Sequence, residues 1–198
     1  MKKMKKVMFL FFAGFLFSII QSCCTDEYIH KWSGFEIQII DSSGNVPVIC
    51  DDCVINNDAL VFRISMNDTV LFDVAQNFNV ISECKATSCG EKWTRPHDMT
   101  SIIVKTTYNY SENFPAGSDI TSLFKARIVG KENENYSTIE KVISLINSAT
   151  QEFGFPRTHF DLYLFDNTCI GGQQKFEIHI LLSDKTVFVK QTEDLLIK

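Results

Sequence analysis

The chain reads as mainly β, an antiparallel β-sandwich-like domain carrying one amphipathic helix, with an α+β arrangement as the alternative. Three observations predict this. Short runs rich in β-branched and aromatic residues recur through residues 34–198, the composition that suits a pleated, half-buried surface. Clusters of Gly, Pro, Asn, Asp and Ser punctuate them, as turns do. Apolar residues take convincing helical spacing in one stretch alone, near residues 139–153, and many strands with one helix favour sheet-on-sheet or α+β packing.

Taken in order, Phe35, Ile37 and Ile39 alternate with Glu36 and Gln38, and Asp41-Ser42-Ser43-Gly44-Asn45 is turn chemistry before Val46-Pro47-Val48, which predicts a hairpin. Leu60 to Met66, Asn79 to Cys84 and Thr100 to Tyr108 read as further strands, with a polar loop from Cys89 to Asp98. Asn113 to Ser118 breaks the pattern, and Ser118 or Asp119 caps a short turn leading to Leu123-Phe124. The helix starts at Ser137 or Thr138: Ile139, Val142, Ile143, Ile146, Ala149 and Phe153 form one apolar face, Ser137 with Glu140 matches a capping box, and Gly154 with Pro156 supplies a stop. Strands return at His159 to Asp166, Gln174 to Leu182, Thr186 to Gln191 and Leu195 to Ile197, with Ser183-Asp184-Lys185 as a hairpin connection.

The amino terminus has a different character. Lys2, Lys3, Lys5 and Lys6 precede an apolar run from Val7 to Ile20 whose five phenylalanines, Phe9, Phe11, Phe12, Phe15 and Phe17, surround the segment instead of forming a stripe. The run has the length of a secretory hydrophobic region and is too short to span a bilayer, which takes about 20 apolar residues. Ile20-Gln21-Ser22-Cys23 resembles the lipobox of bacterial lipoproteins. The resemblance implies a diacylglycerol thioether on Cys23, cleavage before it and acylation of the new amino group, and several acyl chains make a stable anchor where one does not. The expected organisation is a signal peptide over 1–22, a lipidated tether over 23–33 and one β-rich domain over 34–198.

Removing residues 1–22 takes four lysines and no acids, moving the formal charge from −5 to −9, with 15 basic side chains against 24 acidic ones. Phosphate-backbone recognition needs clustered Lys and Arg, so nucleic acid is excluded as a partner. The membrane, reached through the N-terminal lipid, is the expected one, with a glycan or an envelope protein as a further partner.

Six cysteines remain after Cys23: Cys24, Cys50, Cys53, Cys84, Cys89 and Cys169. In an exported chain, Cys50, Cys53, Cys84 and Cys89 are read as disulfide-forming, with the connectivity open. Four thiolates also suit a tetrahedral zinc, but Asp51 and Asp52 oppose thiolate formation and the compartment favours covalent pairing, so no metal and no cofactor are expected. Glu177 with His179, and His159 with Asp161, share strand faces where a carboxylate and an imidazole meet for acid–base chemistry. No nucleophile elbow, zinc-protease helix, phosphate loop or dinucleotide turn accompanies them, so exposed strand positions explain them better and no catalytic residue is assigned. Trp32, Trp93, Tyr108 and Tyr110 are candidates for stacking on sugar rings, against the ordinary fate of core packing.

Gln21 and the acidic pair Asp26-Glu27 after the cysteine resemble the lipoproteins of Bacteroidota, in which such acids imply export to the cell surface. Asp68-Thr69-Val70 is similar to the O-glycosylation acceptor of exported proteins in that group, which implies Thr69 as the attachment residue in an exposed turn at Asn67-Asp68. The order of features over residues 80–198 resembles small uncharacterised Bacteroidota lipoproteins of about two hundred residues: a cysteine-bearing loop, the Thr100 to Val104 strand, Pro115 to Ile120 before Leu123-Phe124, and a closing hairpin. That family carries over no activity. The expected function is a non-enzymatic binding or accessory domain on a lipid tether at the outer membrane. A surface glycan hydrolase and a structural subunit of an envelope or pilus-like complex are the alternatives.

Overall fold

The computed structural model describes residues 27–44, 46–50, 54–73, 92–130, 135–148, 158–166 and 168–198. Along them run β1 (Glu27–Asp41), β2 (Val48–Ile49), β3 (Val54–Ile55), β4 (Leu60–Asp73), β5 (Lys92–Thr94), β6 (Met99–Thr106) and β7 (Phe124–Ile128). The helix α1 (Ile139–Ser148) follows, then β8 (His159–Leu164), β9 (Gly172–Gln174), β10 (Phe176–Leu182), β11 (Val187–Gln191) and β12 (Leu195–Ile197). The fold is mainly β, with antiparallel sheets and one α-helix among the described residues, a β-sandwich-like arrangement.

The large sheet has the order β2-β1-β4-β8-β7, its neighbours antiparallel, with β5 added in parallel beside the start of β1. Two three-stranded sheets, β11-β10-β6 and β3-β12-β9, complete it. One apolar cluster joins all three sheets and the helix. Phe62, Ile64 and Met66 of β4 point into it and alternate with outward Arg63 and Ser65, while β10 repeats the pattern with Phe176, Ile178, Ile180 and Leu182 inside. Phe62 joins the layers: its ring stacks on Phe124 at 5.6 Å and meets Phe176 of the facing sheet at 5.2 Å. The helix lies on the core through Ile139, Val142, Ile143 and Ile146. Asn147 pins it to β6, its Oδ1 accepting from the Met99 N–H and its Nδ2 donating to the Met99 carbonyl.

Several expectations hold in place. The first hairpin pairs Ile40 with Ile49 and Asp41 with Val48. The expected short turn is a 3₁₀ turn over Thr121–Leu123, but its N-cap is Ile120, without a side-chain cap; Asp119 Oδ1 accepts from the Thr121 N–H at 2.9 Å just ahead of it. Lys185, at φ 70°, turns β10 into β11.

Others need correction. β1 begins at Glu27, inside the segment expected as tether, because it finds a partner in the second half of β4, with His30 opposite Val70 and Lys31 opposite Thr69. A bulge between Trp32 and Gly34, with Gly34 at φ 155°, lets Trp32 and Phe35 both reach the core although they stand three apart. The expected turn at Asn67-Asp68 is strand, and Thr69 is an exposed position within β4. Thr138, not Ser137, caps the helix, since Ser137 exchanges both backbone hydrogen bonds with Ala126 and Thr138 Oγ1 accepts from the Lys141 N–H. The signal segment 1–22, Cys23, Asp26, the strand expected at 79–84, and the helix end at Ala149 and Phe153 lie outside the described residues.

Candidate functional site

The pleat that sends Phe62 and Ile64 inward sends alternate residues to the outer face of the large sheet, and antiparallel register lines them up in cross-strand rows. One row is Glu36, Ser65 and His159; the next is Gln38, Arg63, Asp161 and Arg127; the third is Ile40, Val61, Tyr163 and Lys125. Four strands thus build a single face from side chains scattered over more than a hundred residues.

Ion pairing dominates the middle row. Arg63 donates from Nε to Asp161 Oδ1 at 2.8 Å and from Nη2 to Oδ2 at 2.9 Å, a bidentate pair in which Asp161 is 3% exposed. Tyr163 donates its hydroxyl to the same carboxylate at 3.3 Å and accepts from Arg127 Nη2 at 2.5 Å. Burial, with Asp161 adding to it and Arg127 opposing, raises the Tyr163 hydroxyl above its ordinary pKa. In the first row the Ser65 hydroxyl and His159 Nδ1 share a hydrogen bond at 2.8 Å.

Two depressions open on this face. One, of about 740 Å³, is lined by Glu36, Gln38, Ser65, His159 and, nearer the start of β1, His30 and Asp68. Burial lowers His30 and raises Asp68 from their ordinary values, each opposed by the attraction between them. The other, of about 490 Å³, is lined by Ile40, Arg63, Arg127, Tyr136, Asp161 and Tyr163. At its rim Tyr136 meets Tyr163 edge to face at 4.6 Å and Phe165 at 5.0 Å.

The residues singled out in the sequence fall mostly elsewhere. His159 and Asp161 share the face as expected but do not meet, Asp161 being held by Arg63 and His159 by Ser65. Glu177 and His179 do meet, at 2.5 Å on β10. Gln191 first and His179 second, by hydrogen bonding, hold Glu177 below the usual carboxylate range. Neither belongs to the outer face of the large sheet.

Trp32 and Tyr110, 1% and 0% exposed, are core residues and unavailable for stacking, whereas Tyr108 is exposed and donates only its hydroxyl, to Asp194 at 3.4 Å. The exposed rings are Tyr108, at 40%, and two that the sequence did not single out, Tyr136 and Phe165, at 45% and 53%; the Trp93 side chain lies outside the described residues. The sequence carries no local signal for Tyr136 and Phe165, because both lie just outside strands and the contacts that gather them are long-range.

Cys50 is buried at 6% exposure and is not a free thiol. Its expected partners Cys53, Cys84 and Cys89 lie outside the described residues. Cys169 is free, and burial pushes its thiol up, away from reactivity. Among the described residues no cluster of His, Cys, Asp and Glu has metal-binding geometry, and no helix is long and apolar enough to cross a membrane.

The site defines a class, a β-sandwich-like domain with a polar, aromatic-rimmed sheet face. No family model, no curated protein and no solved structure matches this chain.

Proposed function

We propose that the chain is a lipid-anchored, surface-exposed envelope lipoprotein of the kind seen in Bacteroidota, and that its folded domain is a non-enzymatic binding or accessory module. The observation that carries the binding reading is the state of the outer face. A glycan hydrolase needs two available carboxylates roughly 5–9 Å apart; in the aromatic groove the one lining carboxylate, Asp161, has both oxygens on Arg63, and in the larger depression the carboxylates are Glu36 and Asp68. Among the described residues the Ser65–His159 pair makes no hydrogen bond to an orienting acid: Asp161, two positions along the strand, is held by Arg63, and Glu36 shares the row without bonding His159. What is left is a rigid, hydrogen-bonded surface with a shallow groove and exposed rings, which suits recognition.

The anchor reading rests on the resemblance of Ile20-Gln21-Ser22-Cys23 to a lipobox. The described fold opens at Glu27, and β1 then runs 15 residues, about 50 Å at roughly 3.3 Å each, before the turn beside Ile40 and the aromatic groove. A tether joined at Glu27 therefore attaches at the end of β1 opposite that groove. Exposed Thr69 remains the proposed O-glycosylation residue, and a disulfide from Cys50 to Cys53, Cys84 or Cys89 the proposed staple, stabilising by roughly 3–4 kcal/mol if it closes the longer loop.

One experiment tests the module. The full chain is incubated with the polysaccharide fraction of bacterial envelopes, and both retention and new reducing ends are measured. Retention without reducing ends is expected; reducing ends that Asp161→Asn abolishes, or no retention, would overturn it. The anchor has its own prediction: Cys23→Ala leaves the chain unprocessed or released from membranes, and unchanged detergent partitioning with normal processing refutes it.

A further inference from the structure

Arg127 and Lys125 stand two apart on β7, on the same outward face, about 7 Å apart along the strand. Neither has a carboxylate within ion-pairing distance among the described residues. Their partners are rings and a hydroxyl: the Arg127 guanidinium lies 5.2 Å from the Tyr136 centroid and 5.1 Å from that of Tyr163, and the Lys125 ammonium 5.7 Å from that of Phe165. In a chain of net charge −5 this is a cationic spot beside exposed aromatic rings, with no ion-paired carboxylate of its own among the described residues; Asp161, opposite Arg127, is paired with Arg63. The edge-to-face contacts of Tyr136 with Tyr163 and Phe165 hold the rings in a fixed arrangement before anything binds.

The chemistry of the occupant follows from these features together. Ring faces attract the C–H faces of sugars, and an Arg fork without an anion attracts a carboxylate bidentately. The groove of about 490 Å³ that Arg127, Tyr136 and Tyr163 line, with the Arg63–Asp161 pair in its wall and Lys125 and Phe165 outside its lining, falls within the usual range for small ligands. An extended acidic peptide would take the open edge of β7, but Ser137 already occupies it, exchanging hydrogen bonds of 2.8 and 2.9 Å with Ala126. We propose that the face formed by Lys125, Arg127, Tyr136, Tyr163 and Phe165 binds a carboxylate-bearing polysaccharide, the acid on Arg127 and the sugar ring on Tyr136. This rests on the binding-module reading and names its ligand class.

Affinity electrophoresis of the full chain in polygalacturonate and in its methyl ester separates charge from sugar shape. Retention at least ten-fold stronger in the acid form is expected. Arg127→Gln should erase that preference, Lys125→Gln, a milder and exposed change, should halve it or more, and Tyr136→Ala should weaken retention in both forms. Equal retention of acid and ester, or variants that behave as the parent, would overturn the acidic-sugar assignment while leaving a binding module in place. Stronger retention by poly-glutamate than by polygalacturonate would replace it with an acidic peptide. No retention in either polysaccharide also overturns it, and the envelope-fraction experiment then decides separately whether the chain is a binding module at all.

Discussion

Phe62→Ala is expected to lower unfolding free energy by about 3–5 kcal/mol, the usual cost of emptying a buried aromatic site. The side chain is 0% exposed and meets rings from both layers, Phe124 of the large sheet at 5.6 Å and Phe176 of the facing sheet at 5.2 Å. Phe124 and Phe176, each packed on Phe62, cannot fill the space it leaves without moving a sheet, so the cavity term adds to the lost transfer free energy. The same loss amounts to roughly 6–20 °C in midpoint for a domain of this size. Equilibrium urea unfolding gives the number directly. Phe62→Leu should recover more than half of it, and an alanine variant within about 1 kcal/mol of the parent would mean that the layers are held elsewhere.

The position of Phe62 in the core was legible in the sequence, since Leu60 to Met66 alternates cleanly and strand parity alone puts Phe62 and Ile64 together. The helix stripe was legible for the same reason, because α1 buries four of the residues that its spacing selects, Ile139, Val142, Ile143 and Ile146. Parity, however, says which residues share a face and not which strands lie side by side. Ser65 and His159 are 94 residues apart, Arg63 and Asp161 are 98, and no local signal specifies either register. His159 and Asp161 could be paired on paper because they stand two apart, yet cross-strand neighbours at about 5 Å outcompete them for each side chain.

The remaining misreadings have the same origin. Glu27 to Ser33 is polar enough to pass for a tether, but β4 runs on to Asp73 and offers it a backbone partner. Ser137 has the spacing of a capping box, yet Ala126 claims its backbone groups and passes the cap to Thr138. Trp32 looks available for a ligand until the bulge at Gly34 turns it into the core, with Arg95 lying 4.1 Å over its ring. In each case a long-range hydrogen-bonded partner overrides a correct local preference.

Arg63→Met should be nearly as damaging as the loss of Phe62, for an electrostatic reason. The Asp161 side chain is 5% exposed, that of Arg63 31%, so removing the arginine leaves a buried carboxylate whose one remaining hydrogen bond among the described residues is from the Tyr163 hydroxyl at 3.3 Å, with Arg127 opposite it engaged on that same hydroxyl. Breaking a buried pair from one side costs about 3–5 kcal/mol. The reverse change, Asp161→Leu, should cost less, about 1–3 kcal/mol, because Arg63 has a route to water. The double variant should lie closer to the parent than Arg63→Met alone, since replacing both partners by apolar groups removes the desolvation penalty along with the attraction. Urea unfolding of all four proteins measures the coupling. Additive losses would mean that the pair is not a unit, and the argument that Asp161 is unavailable for catalysis would lose its energetic basis. A strongly non-additive cycle, with methionine at 63 the worst single change, would show Asp161 committed to holding β4 against β8, which leaves Arg127 and the rings beside it as the part of the face free to engage a ligand.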